Sequence, residues 1–127
     1  MTPGIKRILS LPYEIVLAKL PDALKTEGFG VLTEIDVRNT LREKLGVEFR
    51  RYKILGACNP PLAHRALQAD PDIGVMLPCN VIVYEDGDKS VVIAVDPMQT
   101  IAATSPALRP IAEDVRGRLT RVLERLS

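Results

Sequence analysis

Leu108, Ile111, Ala112, Val115, Leu119, Val122, Leu123 and Leu126 recur mostly at steps of three and four, the spacing of one face of an α-helix. Arg109, Glu113, Arg116, Arg121, Glu124 and Arg125 fill the other side. Ser105 ahead of Pro106 reads as the cap. A helix built this way has to lay its apolar stripe on a core face. The remainder of the chain must supply that face, and its patterning says of what kind.

Residues 81–84 and 90–95 are rich in branched and aromatic side chains and are joined by Glu85-Asp86-Gly87-Asp88. An Asp-Gly pair between two such runs marks a tight hairpin, so at least one strand pair is antiparallel. Asp96-Pro97 breaks the second strand. Residues 6–11 read as a first strand. In residues 29–35, Phe29, Val31, Thr33 and Ile35 alternate with Gly30, Leu32 and Glu34, predicting a strand with those two faces. Residues 49–57 read as another.

Helices fall between the strands. Pro12 suits a first helical turn, and Tyr13, Val16, Leu17, Leu20 and Leu24 follow at helical spacing up to Gly28. Pro21 removes a backbone hydrogen bond and clashes with the turn before it, at a cost of ~3 kcal/mol. A kink near residues 17–21, or two short helices, is expected. Asp36 caps a short helix carrying Val37, Leu41 and Leu45, closed by Gly46. Asn59-Pro60-Pro61 opens another, running to about Ala69, with Leu62, Ala66 and Leu67 apolar. The pattern predicts an α+β fold, a mainly antiparallel sheet packed on helices. No glycine-rich loop leads from a strand into a helix, which argues against a nucleotide-binding doubly wound fold.

Length and charge narrow the function classes. The 127 residues predict a single domain spanning 1–127. With 17 basic and 16 acidic residues, net charge +1, no global field draws the chain onto nucleic acid or an anionic membrane. Apolar runs of about five residues are far too short to cross a bilayer. The first residues carry charge with no apolar stretch after them, so no signal peptide is expected, and the protein is expected in the cytoplasm. Two cysteines, Cys58 and Cys79, would then stay reduced.

Gly28 to Val37 (GFGVLTEIDV) resembles the signature of the domain-of-unknown-function 302 family. So does Leu55 to Pro60 (LGACNP), followed by Ala63-His64 and Ala66-Leu67. Ile73-Gly74 and Leu77-Pro78-Cys79-Asn80-Val81 fit the same pattern. The resemblance runs from about Pro12 onward and is densest at 28–38 and 54–85. It implies a fold similar to that of the TATA-box-binding protein, with a curved antiparallel sheet and a long C-terminal helix. It also implies homodimers. It implies no activity, and a fold shared with a DNA-binding protein is no evidence of DNA binding.

The chemistry-bearing residues gather at two turns. Cys58 and Asn59 sit where a strand passes into a helix, with His64 on that helix. Cys79 and Asn80 sit at the start of the next strand. If those strands are antiparallel neighbours, the two turns share one edge of the sheet; a parallel crossover would send them to opposite edges. Convergence offers three chemistries. One is a small-molecule site near Cys58, Asn59, Cys79 and Asn80. Another is a nucleophilic or redox thiol, with His64 as base and Asn59 or Asn80 orienting. The third is a soft-metal site of two thiolates and an imidazole, suited to Cu(I) or Zn(II), although the spacing matches no established metal motif.

The competing explanation is that both cysteines pack as small hydrophobes while Asn59 caps the helix. Pro60 and Pro61 weigh against a thiolate, because they remove backbone donors at that helix start. The leading expectation is a ligand-binding or interaction module; cofactor and substrate are left unspecified.

Lesser features have plainer readings. Arg50-Arg51-Tyr52-Lys53 is a basic cluster that a solvated strand edge explains as well as a phosphate contact. Asp86, Asp88 and Asp96 fit no calcium loop, and no Gly-x-Ser-x-Gly elbow is present.

Overall fold

The computed structural model describes residues 3–126. Five strands, β1 (Gly4–Leu9), β2 (Gly30–Asp36), β3 (Tyr52–Cys58), β4 (Cys79–Asp86) and β5 (Lys89–Val95), form one sheet in the order β1-β5-β4-β3-β2. Every neighbouring pair is antiparallel. The helices are α1 (Tyr13–Thr26), α2 (Val37–Leu45), α3 (Pro60–Ala69), α4 (Ile101–Thr104) and α5 (Arg109–Glu124), with 3₁₀ turns at Pro71–Met76 and Pro106–Leu108. No helix among the described residues is long and apolar enough to cross a membrane.

The sheet has one covered face. Leu55 and Ala57 of β3, Val81 and Val83 of β4, and Val92 and Ala94 of β5 point the same way and are buried. They pack in one core with Val16, Leu20 and Leu24 of α1 and Val115, Leu119, Val122 and Leu123 of α5. The alternate positions Ile35, Ile54, Ile82 and Ile93 form a cross-strand row on the opposite face. Tyr52 stacks on Tyr84 beside that row, ring centroids 5.3 Å apart. These six side chains are half-buried or exposed.

Several expectations are corrected. The first strand stops at Leu9 rather than Leu11, because Leu9 pairs with Ser90 and the Ser90 hydroxyl then donates to the Leu11 carbonyl at 2.7 Å. Pro12 is the cap residue, extended rather than helical. Of the two outcomes expected at Pro21, division into two short helices does not occur: α1 is one helix from Tyr13 to Thr26. Pro21 lies on the exposed side of that helix, where water can serve the carbonyl left without a donor. The alternation in β2 fails at a bulge between Val31 and Thr33. Val31 lies opposite Ala57, whereas Thr33 and Ile35 lie opposite Gly56 and Ile54, on the other face. Phe49, Arg50 and Arg51 precede β3 instead of belonging to it. Ser105 flanks the short 3₁₀ turn and makes no side-chain cap; Leu108 precedes α5.

Candidate functional site

The antiparallel register of β3 and β4 brings the two turns together. Ala57 faces Cys79 and Gly56 faces Asn80, so the end of β3 and the start of β4 share one end of the sheet. Gly56 is obligatory there. A Cβ on it would stand 2.7 Å from Pro78 Cγ and would also strike the Thr33 hydroxyl.

Asn59 is buried and fully engaged. Its Oδ1 accepts from the Leu62 N–H at 3.3 Å, capping α3, and its Nδ2 donates to the Glu27 carbonyl at 3.2 Å. Pro60 and Pro61 have no N–H to offer. The donor after Leu62, the Ala63 N–H, bonds to the Asn59 carbonyl at 2.9 Å. Every backbone donor in the first turn of α3 is thus absent or taken, and none is left to hold a thiolate or another anion.

Between the turns lies an apolar cavity of about 30 Å³. Cys58, Asn59, Pro78 and Cys79 form one side. Phe29, Leu62 and Ala66, with Ile101, Ile111 and Val115 from α4 and α5, close the rest. Cys79 is buried, and burial, reinforced by the neighbouring Cys58, pushes its thiol up to about 11. It is therefore protonated near neutrality. Cys58 is half-buried and unpaired.

Of the five residues singled out in the sequence, three meet at this cavity: Cys58, Asn59 and Cys79. His64 is exposed on α3 and Asn80 is exposed on β4; neither lines it. No three His, Cys, Asp or Glu side chains among the described residues gather as a metal site. The walls from α4 and α5 were invisible in the sequence, because Ile101, Ile111 and Val115 read there as ordinary helix-face residues. Phe29, inside the densest segment of resemblance, was the one available signal.

The basic cluster lies at the other end of β3 and has acidic neighbours. Arg51 Nε donates to Glu85 at 2.9 Å and its guanidinium also contacts Glu14. Lys53 pairs with Glu34, and Arg50 approaches Asp86 at 3.8 Å. Arg51 also lies over the Tyr13 ring, 5.1 Å from its centroid. Burial, followed by the negative charge of Asp36, pushes the Tyr13 hydroxyl up to about 12. Asp96, weighed as a calcium ligand, accepts from Arg116 Nε at 3.1 Å and from the Met98 N–H at 2.9 Å.

The family model described as "Domain of unknown function DUF302" matches residues 5–126. The chain belongs to this family. A crystal structure of an uncharacterized conserved DUF302 protein from Bacillus stearothermophilus is 32% identical in sequence, covers 100% of both chains and superposes with a TM-score of 0.90. No curated protein matches the chain. The α+β architecture and the C-terminal helix are thus those of the DUF302 family, and the family description carries no activity.

Proposed function

We propose that this DUF302 chain is a non-catalytic binding module whose site is the cavity between Cys58, Asn59 and Cys79, and that it takes a small apolar group. The observation that carries this reading is that the Asn59 amide and the first-turn donors of α3 are already engaged within the fold. Both ends of the Asn59 amide are held by the fold. The first-turn donors of α3 are used or missing. The Cys79 thiol is held in its neutral form. Shape and apolar surface are what remain to recognise a ligand.

Size limits the ligand. By the measure in which one water needs ~10–15 Å³, a cavity of about 30 Å³ admits two or three heavy atoms. Very small ligands gain at most ~1.5 kcal/mol per heavy atom, which sets a dissociation constant near ~1 mM. The occupant is a small apolar molecule, or the apolar tip of a larger one that reaches in beside Cys58.

Xenon tests this. Xenon applied to the labelled protein is expected to shift the amide resonances of Ala57, Ala66 and Val115, and the shifts are expected to vanish in Ala66→Leu, which fills the space. A spectrum indifferent to xenon ends the proposal. 1-Propanol and an amphiphile with a propyl tail, titrated in parallel, separate capture of a whole molecule from capture of a tip.

A further inference from the structure

The chain's two cysteines, Cys58 and Cys79, are free thiols, and the binding reading uses them only as wall. Both line the same apolar cavity of about 30 Å³. Ala57 is the cross-strand partner of Cys79, so Cys58 lies one residue beyond that partner. Paired Cα atoms of an antiparallel ladder stand about 4.5–5.5 Å apart, and one residue along the strand adds about 3.4 Å at a right angle. The two cysteine Cα atoms are thereby about 5.6–6.5 Å apart, within the roughly 4.4–6.8 Å that a disulfide spans.

Direction matters as much as distance. Successive side chains of a regular strand leave by opposite faces, and Cys79 takes the core face with Val81 and Val83. Cys58, however, is the last residue of β3, where the chain turns into the Asn59 cap. It lines the void that Cys79 also lines. Its proximity is felt there, since Cys58 adds to the rise of the Cys79 thiol. The two differ in access. Cys58 is half-buried, whereas Cys79 is buried.

We infer that Cys58 and Cys79 are a peroxide-responsive pair, in which Cys58 is oxidised first, Cys79 resolves it into an intrachain disulfide, and the bond closes the cavity. The inference rests on the reading of this cavity as the binding site and adds its regulation. The oxidant is hydrogen peroxide or a small alkyl hydroperoxide.

Two steps balance the reaction. The Cys58 thiolate attacks one peroxide oxygen; the S–O bond forms, the O–O bond breaks, and hydroxide leaves and is protonated to water. Cys79 then gives up its proton and attacks the Cys58 sulfur. The S–S bond forms, the S–O bond breaks, and the departing hydroxide takes that proton as the second water. Peroxide is reduced by two electrons, and the two thiols are oxidised together by two. Burial and its neutral thiol keep Cys79 from reacting first. No free donor at the start of α3 holds a thiolate, so the fold contributes placement rather than activation. The empty space between the sulfurs is what the new bond takes up, and an apolar occupant loses its room.

Hydrogen peroxide on the folded full chain tests this, with mass spectrometry reading the product. The expected product is lighter by two hydrogens. Its tryptic peptides 54–65 and 66–89, which carry one cysteine each, should be joined, and a thiol reductant should restore both thiols. Cys79→Ala should stall at the sulfenic acid, which dimedone traps at Cys58. Xenon reads closure: the amide shifts of Ala66 and Val115 are expected in the reduced protein and lost in the oxidised one. Oxidation of Cys58 to sulfinic acid while Cys79 stays free overturns the inference. So does a disulfide joining two chains, one that forms only with loss of the native amide spectrum, or an oxidised protein that answers xenon as the reduced one does. A reduced protein indifferent to xenon ends the binding reading alone, and the mass of the oxidised chain still decides the disulfide.

Discussion

Asn59 Nδ2 donates to the Glu27 carbonyl at 3.2 Å, joining the turn after β3 to the C-terminal end of α1. The same carbonyl accepts from Arg118 Nη1 of α5 at 3.2 Å, and the Glu27 carboxylate accepts from Arg121 Nε at 3.0 Å. Three elements far apart in sequence are therefore fastened at one residue, beside the cavity. Asn59→Ala removes the helix cap and this tie together, and leaves a buried site short of partners. The expected loss is about 2–3 kcal/mol, read from urea midpoints. Asn59→Asp keeps the capping acceptor but sets a carboxylate against the Glu27 carbonyl, so it should not recover the wild-type midpoint. A midpoint within error of wild type for both variants would contradict this account of the turn.

Gly28 makes that contact possible. Its φ is +84°, and a Cβ there would stand 2.9 Å from Asn59 Nδ2. Gly28→Ala therefore carries both backbone strain and a clash, and should cost about 1–3 kcal/mol. The clash disappears when Asn59 is shortened. The double variant Gly28→Ala/Asn59→Ala should consequently be more stable than the sum of the single losses predicts, by about 0.5–1 kcal/mol. Strict additivity in a double-mutant cycle would mean that the two residues do not meet.

Much of this was legible beforehand, for local reasons. The Asp86-Gly87 hairpin, the Asp36 and Gly46 ends of α2 and the Asn59 cap all depend on chemistry within four residues, and each is found as expected. The long amphipathic helix was legible because its stripe faces a core. Its start was misjudged, since Ser105 serves a 3₁₀ turn that the periodicity does not show. Non-local pairing was beyond reach. The bulge at Leu32 depends on how β2 meets β3, and the cavity needs α4 and α5 folded back over the turns. That none of residues 30–50 is buried could not be read either, because the apolar positions there look like those of any core strand and helix.

Glu85 carries an acid-side prediction. Its carboxylate accepts from the Arg51 backbone N–H at 3.2 Å and from Arg51 Nε at 2.9 Å. Those hydrogen bonds, backbone first, hold it below the usual carboxylate range. Its folded-state value lies under its unfolded one, so the unfolded chain takes up the proton first as pH drops. The contribution is complete above the ordinary glutamate value of ~4.3 and is lost as pH falls through the lower folded value. The pair is open to solvent, so the effect is small and screened by salt. The stability gap between wild type and Glu85→Gln should be flat at neutral pH, shrink below about pH 4 and narrow in molar salt. A gap that widens on acidification would reverse the assignment.

Cys79 carries the alkaline counterpart. Burial raises its thiol from 9.0 to about 11, with Cys58 adding to the shift. Between those values the unfolded chain ionises while the folded one does not, so the unfolded state binds fewer protons and stability falls as pH rises. The contribution is whole below pH 9.0 and gone above about pH 11, amounting to about 2–3 kcal/mol. Cys79→Ala removes it, so the wild type should lose that much more stability than the variant across this window. The same burial makes a kinetic prediction. Near neutrality iodoacetamide should modify Cys79 only through opening of the fold, at a rate that climbs with urea, while half-buried Cys58 reacts in the native protein. Mass spectrometry distinguishes the two positions. Native-state alkylation of Cys79 at the rate of a free thiol would mean that this sulfur is exposed, and with it the wall it contributes to the cavity.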